Sequence, residues 1–152
     1  MRVDGLELPS LLVELIDSGR WRSDREQSIT GERVLALFPD APWDPTLEPF
    51  LHLERPPFHT VVGERARVFW DHPMAAPAEI DHARAVVIGD FGIGSDTPIV
   101  LDYSANPAAP SVRRLEWKFL GGGGPDGRHL TDNHWVTVTP TFEEFARRLA
   151  LE

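Results

Sequence analysis

The sequence predicts an α+β fold: a mostly antiparallel central sheet of about four to six strands, flanked by N-terminal helices and a C-terminal helix. Three observations predict it. A leucine-rich segment near the N-terminus has helical spacing, the second half holds short β-branched runs separated by glycine and proline turns, and a capped amphipathic segment closes the chain. Helices and strands fall in separate runs rather than alternating, which favours an antiparallel sheet over repeated strand–helix–strand units.

The first element is "LPSLLVELIDSGRW". Pro9 suits the first turn of a helix, where its missing N–H costs nothing. Leu11, Leu12, Leu15 and Ile16 follow at helical spacing, and Gly19 stands where a left-handed C-cap falls, so a helix is expected over about residues 9–18 with Trp21 folding back onto it. A second helix is expected in "TGERVLALF", with Val34, Leu35 and Phe38 on one face and Pro39 ending it.

Prolines at 39, 42, 45, 49, 56, 57, 73 and 77 break residues 39–82 into short pieces. "TLEPFLHL" is compatible with a short helix, and "ARVFWDH" with either a strand or a short helix. The expectation is an irregular layer that packs Trp43, Phe50, Leu51, Phe58, Phe69 and Trp70 over the sheet.

"ARAVVIGDF" is β-branched and apolar at its centre, as in a central strand, and "PIVLDY" reads as its partner across a glycine turn. "SVRRLEW" suggests a strand with one solvated face. "FLGGGGPDGRHLTDN" reads as a flexible connection, and "HWVTVT" as the next strand. In "TPTFEEFARRLALE", Thr141 and Glu144 form a capping box, and Phe142, Phe145 and Leu149 form a buried helical face.

At 152 residues, with 41% hydrophobic and 26% charged residues, the chain is expected to form one globular domain over 1–152. The 24 Asp and Glu against 15 Lys and Arg give a net charge of −9. That balance repels phosphate backbones and disfavours nucleic acid as a partner, while it steers a basic protein toward the surface. The absence of cysteine removes disulfides, thiolate zinc sites and a cysteine nucleophile. No basic segment leads into an apolar stretch at the N-terminus, and no apolar run reaches the roughly 18–20 residues that span a bilayer; a cytoplasmic protein is expected.

The stretch "IGDFGIGSDTPIVLDY" could be a ligand loop. Its glycines at 89, 92 and 94 run in the wrong order for a dinucleotide loop, and a strand rather than a helix follows them. Asp90, Asp96 and Asp102 lack the alternate spacing and closing Glu of a calcium loop, so turn-stabilising aspartates are expected. The histidines at 52, 59, 72, 82, 129 and 134 form no zinc-binding pattern. His129 and His134 flank Asp132 in an expected loop, and a small hydrolase or ligand-binding protein using Asp96, Asp102 and His134 is the third function weighed. These patterns require no cofactor, no metal and no catalytic residue.

With its strands and last helix placed, the chain resembles the SUKH superfamily, the bacterial immunity proteins that also include the yeast Smi/Knr cell-wall regulators. The resemblance lies in "VVIGDFGIGSDTPIVLDY", "VRRLEW" and "HWVTVTPTFEEFARRL", with Gly92, Gly94, Asp96, Asp102, Trp135 and Phe142 through Phe145 in the family's places. It covers about half the chain. The proline-rich middle departs from the family pattern, which leaves the partner surface open to differ. The resemblance implies a non-catalytic protein that neutralises a toxin domain, often a nuclease, encoded beside it. On that expectation Glu79, Asp81, Asp90, Asp96 and Asp102 are acids that dock a basic toxin. Trp43, Phe69 and Trp70 are anchors if exposed and core residues otherwise. A regulatory or scaffold module of the same fold is the alternative.

Overall fold

The computed structural model describes residues 1–23, 28–41, 46, 48–65, 79–90, 97–123 and 129–152. Within them the fold is α+β. A small hairpin of β1 (Arg2–Val3) and β2 (Leu6–Glu7) leads into α1 (Ser10–Asp17). Then come β3 (Ile29–Thr30), α2 (Glu32–Leu37), β4 (Phe50–Leu53), α3 (Val61–Arg65) and a 3-10 turn at His82–Arg84. The remainder is β5 (Ala85–Asp90), β6 (Pro98–Asp102), β7 (Ser111–Gly123), β8 (His129–Thr139) and α4 (Phe142–Arg148). Strands β3 to β8 form one six-stranded sheet in chain order, antiparallel at every pairing.

Helix α1 buries Leu12 and Leu15, as their spacing predicts. It ends where Gly19 takes φ 71°, a conformation that costs glycine little. Trp21 does fold back: its N–H bonds the Leu15 carbonyl at 2.9 Å, and its indole N–H bonds the Glu54 carbonyl at 2.8 Å. Its ring packs edge-on against Phe58 and tilts against Phe142. One residue thereby ties α1, the end of β4 and α4 together. In α2 the buried face is Val34, Leu37 and Phe38, whereas Leu35, expected inward, is exposed.

The segment "TLEPFLHL" supplies a strand instead of the expected helix. From Phe50 to Leu53 burial alternates, with Leu51 and Leu53 in the core, and the strand pairs with Thr30 and Ile29 on one side and with Asp90 and Gly89 on the other. Pairing on both sides satisfies its backbone groups, and an isolated turn of helix after Pro49 offers no comparable partner. Leu51 therefore lies within the sheet rather than over it, and Phe50 stacks edge-on against His52.

Strands β5 and β6 are buried on both faces, which explains their unbroken apolar runs. Val86, Ile88, Ile99, Leu101 and Val112 face the larger core, with Leu12, Leu15, Phe142 and Phe145. Ala85, Val87, Val100, Leu115 and Trp135 face a smaller core, closed by Val61 and Ile80. The β5–β6 register shifts between Val87 and Gly89, and on its other side Gly89 lies close against the β4 backbone. A Cβ at Gly89 would lie 2.6 Å from the His52 carbonyl oxygen, so only glycine fits.

Residues 121–123 of the glycine run belong to β7 and β8 begins at His129, so the described part of the expected flexible connection is strand, while residues 124–128 lie outside the described residues. His129, Asp132 and His134 accordingly sit on a strand, not on a loop. Cross-strand pairing decides this, because Lys118 opposes Asp132 and Gly123 opposes His129. Nor is the start of β7 solvated on one face. A register shift after Val112 leaves Val112 and Leu115 in the two cores, and Arg114 is buried in an ion pair with Glu116. Helix α4 starts at the expected cap: the Glu144 N–H bonds Thr141 Oγ at 3.3 Å, and Phe142 and Phe145 are fully buried.

No helix among the described residues is long and apolar enough to cross a membrane. "ARVFWDH", Trp43, Phe69, Trp70, Gly92, Gly94 and Asp96 lie outside the described residues.

Candidate interaction surface

The expected docking acids among the described residues, Glu79, Asp81, Asp90 and Asp102, do not share one surface. The β5–β6 pairing sets Ala85 opposite Asp102 at one end and Asp90 opposite Pro98 at the other. At a strand rise of about 3.3 Å per residue, the two ends are some 17 Å apart. The stretch 88–103 is thus two antiparallel strands with a connection between them.

Asp90 is half-buried and accepts a hydrogen bond from the Thr97 hydroxyl at 2.9 Å, which clamps the two strands where they part. This is the turn-stabilising role expected of aspartates in such a stretch. Its place at the other end of the hairpin separates it from Asp102, so the two cannot share one calcium ion.

Asp102 does not stand on a rim. Only 2% of it is exposed. One carboxylate oxygen accepts the Ser104 N–H at 2.9 Å, and the other lies 3.0 Å from Arg113 Nε. Removing a carboxylate from water costs several kcal/mol unless a partner offsets it, so a buried, ion-paired acid serves the fold. The rim role is corrected on that ground.

Asp81 and Glu79 are exposed. Asp81 caps the 3-10 turn by accepting the Ala83 N–H at 3.0 Å, and its own N–H donates to Ser104 Oγ at 3.1 Å. Glu79 reaches the outer side of β8, the last strand of the sheet. Its Oε2 accepts the Trp135 backbone N–H at 2.5 Å, and its Oε1 lies 2.5 Å from His134 Nδ1. Partial burial pushes the Glu79 carboxyl up, but the His134 ring, the Trp135 amide and the charges of His134 and Arg113 outweigh it and hold the group below its ordinary value.

Trp135, expected to mark the fold, is buried over the smaller core. Its indole N–H is buried without a hydrogen-bond partner among the described residues.

The residues weighed for hydrolysis are not gathered. Asp102 opposes Ser111 on β7 and His134 opposes Glu116, five positions further along. That spacing again amounts to about 17 Å. A serine–histidine contact that the sequence did not suggest does occur: Ser28 Oγ lies 2.8 Å from His52 Nδ1. Asp90 opposes His52 across the strands, but its carboxylate accepts the Thr97 hydroxyl, and among the described residues no carboxylate hydrogen-bonds the His52 ring. Among the described residues no group of three or more His, Cys, Asp or Glu side chains could hold a metal ion.

How the N-terminal hairpin docks depends on partners far along the chain and is not legible in the sequence, although the turn that forms the hairpin is. Asp4 Oδ2 accepts the hydroxyl of buried Thr60 at 2.8 Å, and that same hydroxyl oxygen accepts the Gly63 N–H at the start of α3. Tyr103, wholly buried, donates its hydroxyl to the Glu7 carbonyl at 2.8 Å. A signal was present in Asp4-Gly5, the two-residue turn between β1 and β2, where both residues take positive φ.

No family model matches the chain, and no solved structure matches it. It is similar to RIPOR family member 3 of Mus musculus, 37% identical over 73 residues. That match covers 45% of this chain, and the chain spans only 8% of the mouse protein's length. So short a share defines no family.

Proposed function

We propose that this chain is a non-catalytic, SUKH-like immunity protein of the cytoplasm, which binds a basic toxin domain and neutralises it by occlusion. The observation that carries this reading is the acid excess, a net charge of −9 on an α+β domain whose surface exposes Glu14, Asp17, Glu79 and Asp81. Such a surface repels nucleic acid and speeds encounter with a cationic protein. Asp102 drops out of the docking set, and Asp90 stands apart from Glu79 and Asp81. Glu79 and Asp81 on the one hand and Asp90 on the other therefore offer separate acidic positions for a basic partner.

Co-expression with toxin domains encoded beside this gene tests the reading. The expected result is restored growth and a co-purifying complex. If no neighbouring domain is neutralised and none co-purifies, the reading fails, and a toxin gene absent from the neighbourhood would turn the choice to a regulatory or scaffold module.

A further inference from the structure

We infer that Glu79 and His134 form a pH-dependent latch, which fastens the segment 79–81 against the outer side of β8 and so keeps Ile80 and Trp135 covered. The inference stands apart from the toxin reading, since it concerns the isolated chain.

Glu79 uses both carboxylate oxygens, one on the His134 ring and one on the Trp135 backbone N–H. The next residue, Ile80, is buried in the smaller core with Trp135, Val87 and Val100. Asp81 then fixes the 3-10 turn through Ala83 and Ser104. Glu79 thus fastens residues 79–81 to the margin of β8. Without it, the Trp135 amide loses its carboxylate acceptor at the sheet margin, where unpaired strand groups invite association.

The charged groups around the latch set its pH window. Glu79 is the direct partner of His134, and Glu116 opposes His134 on β7, where Arg114 pairs with it. Arg113 acts on Glu79 from β7, and the His82 ring lies 6.3 Å from the Trp135 ring. Two positions along these strands Asp132 stands opposite Lys118, and the Glu79 carboxylate, in direct contact, favours imidazolium at His134. Stabilisation from a proton held on His134 is present below the ordinary imidazole range, about 6.5, and fades as pH rises. Stabilisation from the Glu79 anion is present above the usual carboxylate range and is lost as pH falls through the group's lowered value. The latch is tightest between those limits and loosens on both sides.

The test is nuclear magnetic resonance on the intact chain. In the native protein the His134 ring should titrate at higher pH than in Glu79→Gln, and hydrogen exchange at the Trp135 amide, corrected for intrinsic chemistry, should quicken about tenfold from pH 5.5 to pH 8. His134→Asn should abolish that pH dependence while keeping the fold. Equal His134 midpoints in the native and Glu79→Gln chains, or Trp135 exchange that ignores pH, would overturn the latch.

Discussion

Arg113 Nε lies 3.0 Å from Asp102 Oδ2, between neighbouring strands, with Asp102 almost wholly removed from water. The contact is ionic rather than a well-aligned hydrogen bond, since among the described residues the buried Nε has no partner of good hydrogen-bonding geometry. It joins β6 to β7 at the end of the sheet where Ser104 and Asp81 close the neighbouring turns.

Breaking this pair should cost more than either residue's size suggests. Asp102→Asn leaves Arg113 without its counter-charge and should lower stability by about 3 kcal/mol. Replacing both partners by apolar residues should cost less than the two single changes added together. Urea denaturation of the two single variants and the double variant measures this, and additive losses would show that the pair is not coupled.

Gly89 faces a different constraint, one of space. Alanine there would place its Cβ 2.6 Å from the His52 carbonyl oxygen, a backbone atom that cannot swing aside. Gly89→Ala should therefore destabilise by about 2–3 kcal/mol, through forced separation of β4 and β5. A thermal melt within a degree of the native chain would show that the strands part at little cost.

Tyr103 is the single tyrosine of the chain, so its ionisation can be read without interference. Burial, with a smaller contribution from Glu7, pushes its hydroxyl well above the ordinary value. A folded value above the unfolded one means that stability is fully present below about pH 10 and falls as pH rises beyond it. Tyrosinate absorbance should be absent at pH 11 in the folded chain and should appear near pH 10 in concentrated urea. Ionisation near pH 10 under native conditions would contradict the buried Tyr103–Glu7 contact.

The elements that could be read from the sequence carry their own signals. Leu12, Leu15 and Gly19 specify α1 by spacing and by a left-handed cap, and Thr141 with Glu144 specifies the start of α4. The apolar runs of β5 and β6 announce strands covered on both faces. What could not be read depends on partners distant in the chain. "FLHL" becomes a strand because β3 and β5 lie on either side of it, and Gly123 joins the ladder because His129 of β8 lies opposite. The same holds for the acids. Composition shows that they exceed the basic residues, but not that Asp102 is buried by Arg113, that Asp90 holds Thr97, or that Glu79 reaches a strand more than fifty positions away.

The central claim is that acidic charge brings a basic toxin domain to this chain. The most direct test is the rate of association with a co-encoded toxin domain, measured from low to high salt. Charge-steered docking predicts that the association rate falls more than about tenfold while dissociation changes little. An association rate indifferent to salt, or no binding at all, would contradict it.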